Sequence, residues 1–237
     1  KEELEKTVEA RDKLYSLIAH DLRAPIGSLR MVMNALSMNV DRSKFDDDIY
    51  EVFITGNRLA EDTFVLLDNL LKWTKSQTGR LKTVFQDDVE ILSLIKGELE
   101  VSEVLAELKQ ISIVFNGYSE AKARIDQDMI KTVLRNLLNN AIKFSNRGSE
   151  IIVSLKEEGD RVIISVSDKG KGIKTSDQNK IFKTNVHISS FGTENEEGSG
   201  LGLLICKEFI NRNNGEIWFE SREGAGSTFS FYIPIQK

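Results

Sequence analysis

The chain has 237 residues, 40% hydrophobic and 29% charged, enough to bury the core of one large domain or two smaller ones. No apolar run approaches the ~18 residues of a membrane span, and a formal net charge of -5 argues against nucleic acid or an anionic membrane as the main partner. One cysteine (Cys206) and two histidines (His20 and His187) exclude a disulfide framework, a cysteine-cluster zinc site and a His-rich metal centre.

From the start, Leu4, Val8, Arg11, Tyr15, Ile18 and Leu22 alternate spacings of four and three, a coiled-coil seam with one polar interruption. Leu29, Val32 and Leu36 continue that face past Pro25, which should kink the helix without ending it. The acidic stretch 39–48 reads as a loop, and 49–78 as a second long amphipathic helix whose last apolar position is Trp73. A lone hairpin of two such helices leaves apolar surface uncovered. Two chains forming a four-helix bundle solve that, and packing against the rest of one chain is the alternative. Residues 78–80 read as a hinge, which divides the chain into domains 1–78 and 79–237.

Glycines crowd the second half, where strands and helices mix. Strands are expected at 82–85, 111–115, 123–125, 151–155, 162–166, 217–220 and 228–233. Helices are expected at about 89–108, 128–144 and 200–212, and Gly159 lies in a hairpin turn between 155 and 162. No regular βαβ repeat appears, so the pattern favours an α+β fold with a helix layer on a mixed sheet.

Four short segments could carry chemistry. On the helix 128–144, Asn136, Asn140 and Lys143 fall on one stripe, with Phe144 following. Asparagine is only a middling helix former, a carboxamide oxygen can ligate Mg²⁺, and a lysine can neutralise phosphate; a solvated helix face is the plainer account. Asp168, Gly170 and Gly172 follow a strand end, where a carboxylate can accept from an exocyclic amine while the backbone approaches a ring; an Asx turn is the plainer account. Gly198, Gly200, Leu201 and Gly202 precede a helix, whose N-terminal amides suit a phosphate chain. The spacing is neither a P-loop nor a Rossmann fingerprint. His20 and Asp21 lie on the first helix, with His20 about opposite the mean direction of Ile18 and Leu22 at roughly 100° per residue, so an outward imidazole is expected.

Taken in chain order, from His20 through Asn136 and Asp168 to Gly198, the four segments resemble the H, N, G1 and G2 boxes of sensor histidine kinases of two-component systems, over nearly the whole chain. The resemblance implies a helical hairpin forming a dimeric four-helix bundle, followed by a GHKL-type α/β sandwich that binds ATP. It makes His20 the phosphoacceptor, Asp21 its general base and Asn140 the Mg²⁺ ligand, with Asn136 nearby. It turns Lys143 toward the phosphates and Phe144 toward the adenine. Asp168 would bind the adenine amine, Gly170 and Gly172 would shape the base pocket, and Gly198, Gly200, Leu201 and Gly202 would border the phosphates. The segment 183–197 looks like an ATP lid, with Phe182 or Phe191 as its aromatic, and 226–228 like the closing turn. The implied product is a phosphohistidine whose phosphoryl group passes to an aspartate of a response-regulator receiver domain. The chain then reads as the cytoplasmic portion of a larger sensor, with no direct membrane contact of its own.

Two departures matter. Ala24 stands where many relatives carry Thr or Asn four residues after the histidine, and alanine cannot position a water. Weak or absent regulator-phosphatase activity by that route is expected. Asn136 stands where the hydrolytic ATPases of the superfamily place a glutamate to activate water, and a carboxamide is a poor base. That disfavours hydrolysis against transfer to His20. A silent ATP-binding scaffold is the rival of another class.

Overall fold

A computed structural model describes residues 22, 25–32, 56, 60, 63–64, 67–68, 70–72, 74, 81–183, 192–193 and 200–235. The chain divides into two compact units, Lys1–Lys82 and Thr83–Lys237. Most of the seam at 4–22, the loop 39–48, the hinge 78–80 and nearly all of the segment 183–197 lie outside the described residues.

In the first unit, the described residues from 22 to 74 are helical. Ile26 and Leu70 pack on buried Leu67 and Leu71. The Arg30 guanidinium sits 3.9 Å from the centre of the Phe64 ring, a cation–π arrangement. A Cβ at Gly27 would come 3.3 Å from the same ring. Leu22, Leu29 and Val32 share a different stripe and stay 44%, 49% and 55% exposed.

The second unit begins with strand β1 (Gln86–Glu90), helix α1 (Ile91–Leu108), β2 (Ser112–Gly117), β3 (Lys122–Ile125) and α2 (Gln127–Phe144). There follow β4 (Glu150–Glu158), β5 (Arg161–Asp168), the short α3 (Thr175–Gln178), α4 (Gly202–Arg212), β6 (Glu216–Arg222) and β7 (Gly226–Pro234). β1 pairs antiparallel with β3, and a second sheet runs β2-β4-β5-β7-β6. Only its β2–β4 pair is parallel. The mixed sheet expected from the sequence is therefore present.

Period-two alternation builds the large sheet. Val153, Val166, Phe229 and Phe219 stand opposite one another in successive strands, and Leu155, Ile164, Phe231 and Ile217 form the next rung. The opposite face is mixed: Ser165 meets Ser230 at 2.8 Å and Ser167 meets Thr228 at 2.9 Å through their hydroxyls, beside half-buried Ile152, Ile163, Trp218 and Tyr232. One face is thus apolar and the other mixed, as expected for a largely antiparallel sheet with a helix layer on one side. α2 is the middle helix, in contact with both α1 and α4. It buries Ile130, Val133, Leu134, Leu137, Leu138 and Ala141, while Arg135 on its outer side grips Glu98 of α1 at 3.1 Å.

Two expectations shift. The strand expected at 82–85 lies instead at Gln86–Glu90. The Val84 amide donates to Asp126 Oδ2 at 2.8 Å, so this stretch follows the start of α2, and pairing with β3 begins at Gln86 opposite Ile125. The glycine-rich run after β5 also contains α3, a single turn that buries no residue and therefore leaves no apolar pattern to read.

Candidate functional site

The site forms around the C-terminal half of α2. This helix starts on Asp126, whose Oδ1 accepts from the Met129 amide at 3.1 Å, a standard N-cap. The Asp126 amide in turn donates to the carboxamide oxygen of buried Asn213 at 2.7 Å. With the start fixed, helical geometry sends the apolar side chains inward and leaves Asn136, Asn140, Lys143 and Phe144 half-buried on the open side.

Asn136 is tied to its own helix, Nδ2 donating to the Thr132 carbonyl at 3.0 Å. Its oxygen faces the first residue of α4: a Cβ at Gly202 would lie 2.9 Å from Asn136 Oδ1. The asparagine stripe and the glycine run before α4, with Asn136 and Gly202 66 residues apart in the chain, therefore meet with no side chain between them. Gly200 takes φ +66° just before α4, and the Leu201 carbonyl accepts the Ile205 amide at 3.0 Å, starting the helix. The first amides of α4 have no intrahelical acceptor, and Gly202 among these residues lies against Asn136.

Asp168 closes β5 and is only 7% exposed. Its Oδ1 accepts from the Gly170 amide at 2.8 Å. Burial raises the Asp168 carboxyl above the ordinary range, while hydrogen bonds from the Gly170 and Ser227 amides pull the other way. A carboxylate in such a place gains from an incoming N–H donor. The turn after it presses against α2: a Cβ at Gly170 would fall 2.1 Å from the Phe144 carbonyl oxygen, and the Lys171 amide donates to that same oxygen at 3.2 Å. Gly172 adopts φ +63°, where a Cβ would lie 2.0 Å from the Arg222 carbonyl. Only glycine fits there.

The Phe144 ring lies between two ammonium groups, Lys143 Nζ at 5.2 Å and Lys171 Nζ at 4.7 Å from its centre. The Lys143 carbonyl accepts from the Thr193 amide at 3.1 Å and from Lys109 Nζ at 3.0 Å. Phe182 packs on Phe219 of β6 at 5.9 Å between ring centres, with Lys207 Nζ 5.7 Å from its ring.

Asn136, Phe144, Gly170 and Gly202 are therefore gathered at one end of α2, with Asp168 bonded to the Gly170 amide and Gly172 in the same turn. Asn140 and Lys143 lie on the same stripe as Asn136. His20, Asp21, Ala24, Phe191 and Gly198 lie outside the described residues. Lys109 and Thr193 were not singled out by the sequence. Neither carries a local signal, since each acts on a helix more than 30 residues away in the chain.

The open arrangement suits a ligand with a flat amine-bearing part at Asp168 and an anionic part toward Asn136, Lys143 and the start of α4. Oxygen donors of the Asn140 type fit Mg²⁺, which keeps most of its ligands as waters and phosphate oxygens and needs few from protein.

Residues 125–237 match the family model of histidine kinase-, DNA gyrase B- and HSP90-like ATPases. Across its whole length the chain is 28% identical to the adaptive-response sensory kinase SasA of Crocosphaera subtropica, covering 63% of that protein. The chain thus spans less than two thirds of that relative's length. It is similar to the solved catalytic domain of histidine kinase ThkA, with 30% identity and a TM-score of 0.55 over 64% of this chain and 95% of that one. Full-length ShkA, solved with AMPPNP, shares the fold at TM-score 0.70 and 21% identity over 95% of this chain and 46% of its own.

Proposed function

Because the chain belongs to the sensor histidine kinase family, we propose that it is an ATP-dependent autokinase that phosphorylates His20 and passes the phosphoryl group to an aspartate of a response-regulator receiver domain. The single observation that carries this reading is the meeting of Asn136 with Gly202 and of Phe144 with Gly170. Three segments far apart in sequence make one surface that carries a buried carboxylate, Asp168, and two lysines, Lys143 and Lys171, near the Phe144 ring.

In this reading the adenine amine donates to Asp168, relieving the cost of its buried charge, and the base lies against Gly170, Gly172 and Phe144. The α- and β-phosphates run toward Gly198, Gly200, Leu201 and Gly202 at the start of α4, where amides are available. Asn140 would hold Mg²⁺, which supplies charge neutralisation on the phosphates when bound. Lys143 adds a positive charge toward the γ-phosphoryl group. Asp21 holds the His20 imidazole in the tautomer with a lone pair outward, and that nitrogen bonds in line to the γ-phosphorus as the bond to the bridging oxygen breaks and ADP leaves. Transfer of this kind needs alignment and electrostatics more than covalent machinery.

The two-chain four-helix bundle belongs to the same reading. Ile26 faces Leu67 and Leu71 within the hairpin, whereas Leu22, Leu29 and Val32 form an adjacent exposed apolar stripe. Each helix of a four-helix bundle has two such neighbours, so a second copy is the natural cover. Among the described residues no helix is long and apolar enough to cross a membrane.

Incubation of the chain with γ-labelled ATP and Mg²⁺ tests the proposal. Acid-labile, alkali-stable label on the protein, lost in His20→Ala with nucleotide binding retained, is expected. Free phosphate without protein label would point to a hydrolytic ATPase, and binding with neither outcome to a scaffold.

A further inference from the structure

The end of α2 that carries Asn140 and Lys143 is a poor place for a polyanion. The last carbonyls of a helix lack intrahelical donors and together amount to about half a negative charge. Lys109, just past α1, lies beneath that end. It is 5% exposed, and its Nζ donates to the Ile142 carbonyl at 3.1 Å and the Lys143 carbonyl at 3.0 Å. Burying an ammonium costs free energy that a neutral donor would not. A glutamine could offer hydrogen bonds to these carbonyls, and a methionine could fill the volume. Only the ammonium adds a full positive charge at these carbonyls.

We propose that Lys109 is a positioning residue for the phosphates of the nucleotide. Its charge offsets the negative end of α2, and its hydrogen bonds to the Ile142 and Lys143 carbonyls fix the backbone from which Lys143 and Phe144 project. Lys109 touches neither base nor phosphate; it acts through α2. This inference rests on the nucleotide reading above and adds to it one specific consequence: the contribution of Lys109 grows with the charge of the ligand.

The test compares adenosine, ADP with Mg²⁺ and AMPPNP with Mg²⁺, titrated into the full 237-residue chain and into Lys109→Met, Lys109→Gln and Lys109→Arg. Thermal melts check that each variant is folded. For Met and Gln, adenosine affinity should be unchanged, while AMPPNP affinity falls about tenfold, the scale of a partly buried charge at a helix end, with ADP between. Arg should restore most of the AMPPNP affinity. Equal loss for all three ligands, or loss of the fold in both neutral variants, would make Lys109 merely structural and overturn the proposal. If the wild-type chain binds none of the three ligands, the nucleotide reading fails and this inference with it; if it binds AMPPNP and the variants show no charge-graded loss, only this inference fails.

Discussion

At its first turn α2 is held by Asp126 and Asn213, both buried, with the Asp126 carboxylate lying on the Met129 and Val84 amides. At its last turn the carbonyls of Ile142 and Lys143 go to an ammonium, and Phe144 lies between two more. The contrast reverses what the helix alone would offer. A free N-terminus attracts anions and a C-terminus repels them. Here the attracting end is already filled by the chain's own carboxylate, and the repelling end is surrounded by Lys109, Lys143 and Lys171. One end serves stability, and in the proposed reading the other receives the charged end of the nucleotide.

The sharpest way to break this contrast is Asp168→Asn, on the ligand side. Affinity for ATP should fall about 100-fold, since a site that pairs a polar group discriminates strongly against a mismatch. Stability should move the other way. Burial raises the folded-state carboxyl above its ordinary 3.8, so the folded protein binds the proton more tightly than the unfolded chain does. Wild type should therefore lose stability relative to the variant as pH climbs from 3.8 through the raised value, and the difference should stay level above it. Thermal melts from acid to neutral pH read this directly, and an unchanged or lower melting temperature for the variant at neutral pH would count against it.

Asp126→Ala probes the opposite end. It removes the cap on Met129 and the bond to Val84, for a loss of about 1–2 kcal/mol. Denaturant titration should register that loss while AMPPNP affinity holds within about twofold, because distant sites act independently. A parallel collapse of affinity would erase the distinction between the two ends.

The smallest effect belongs to Ser145, the residue that follows α2. Its hydroxyl is buried with no hydrogen-bond partner among the described residues. Ser145→Ala should be neutral or stabilising by up to about 1 kcal/mol, since it removes an unsatisfied polar atom. Clear destabilisation in melts would mean that the hydroxyl is satisfied in solution.

The sequence was legible where the signal is local. Alternation in β4 and β5, with Gly159 turning between Glu158 and Arg161, makes a hairpin out of one local stretch of chain, Glu150 to Asp168. The stripe of Asn136, Asn140 and Lys143 follows from helical spacing alone. What could not be read is what arrives from elsewhere. Nothing around Lys109 distinguishes it from a surface lysine, because its partners lie 33 and 34 residues on. The contact of Asn136 with Gly202 joins two segments that in sequence are only two separate hints. Residues 82–85 have a strand-like composition, yet the Val84 amide goes to Asp126, so pairing starts later in the chain.

Much of the wall beside Asp168 is peptide backbone: the Phe144 and Arg222 carbonyls lie where Gly170 and Gly172 would have carried side chains. An inhibitor shaped to that wall would rest on atoms that every codon encodes alike. If the proposed nucleotide reading holds, resistance would then have to arise at Asp168 or Phe144, where escape from the drug also endangers the hold on the nucleotide.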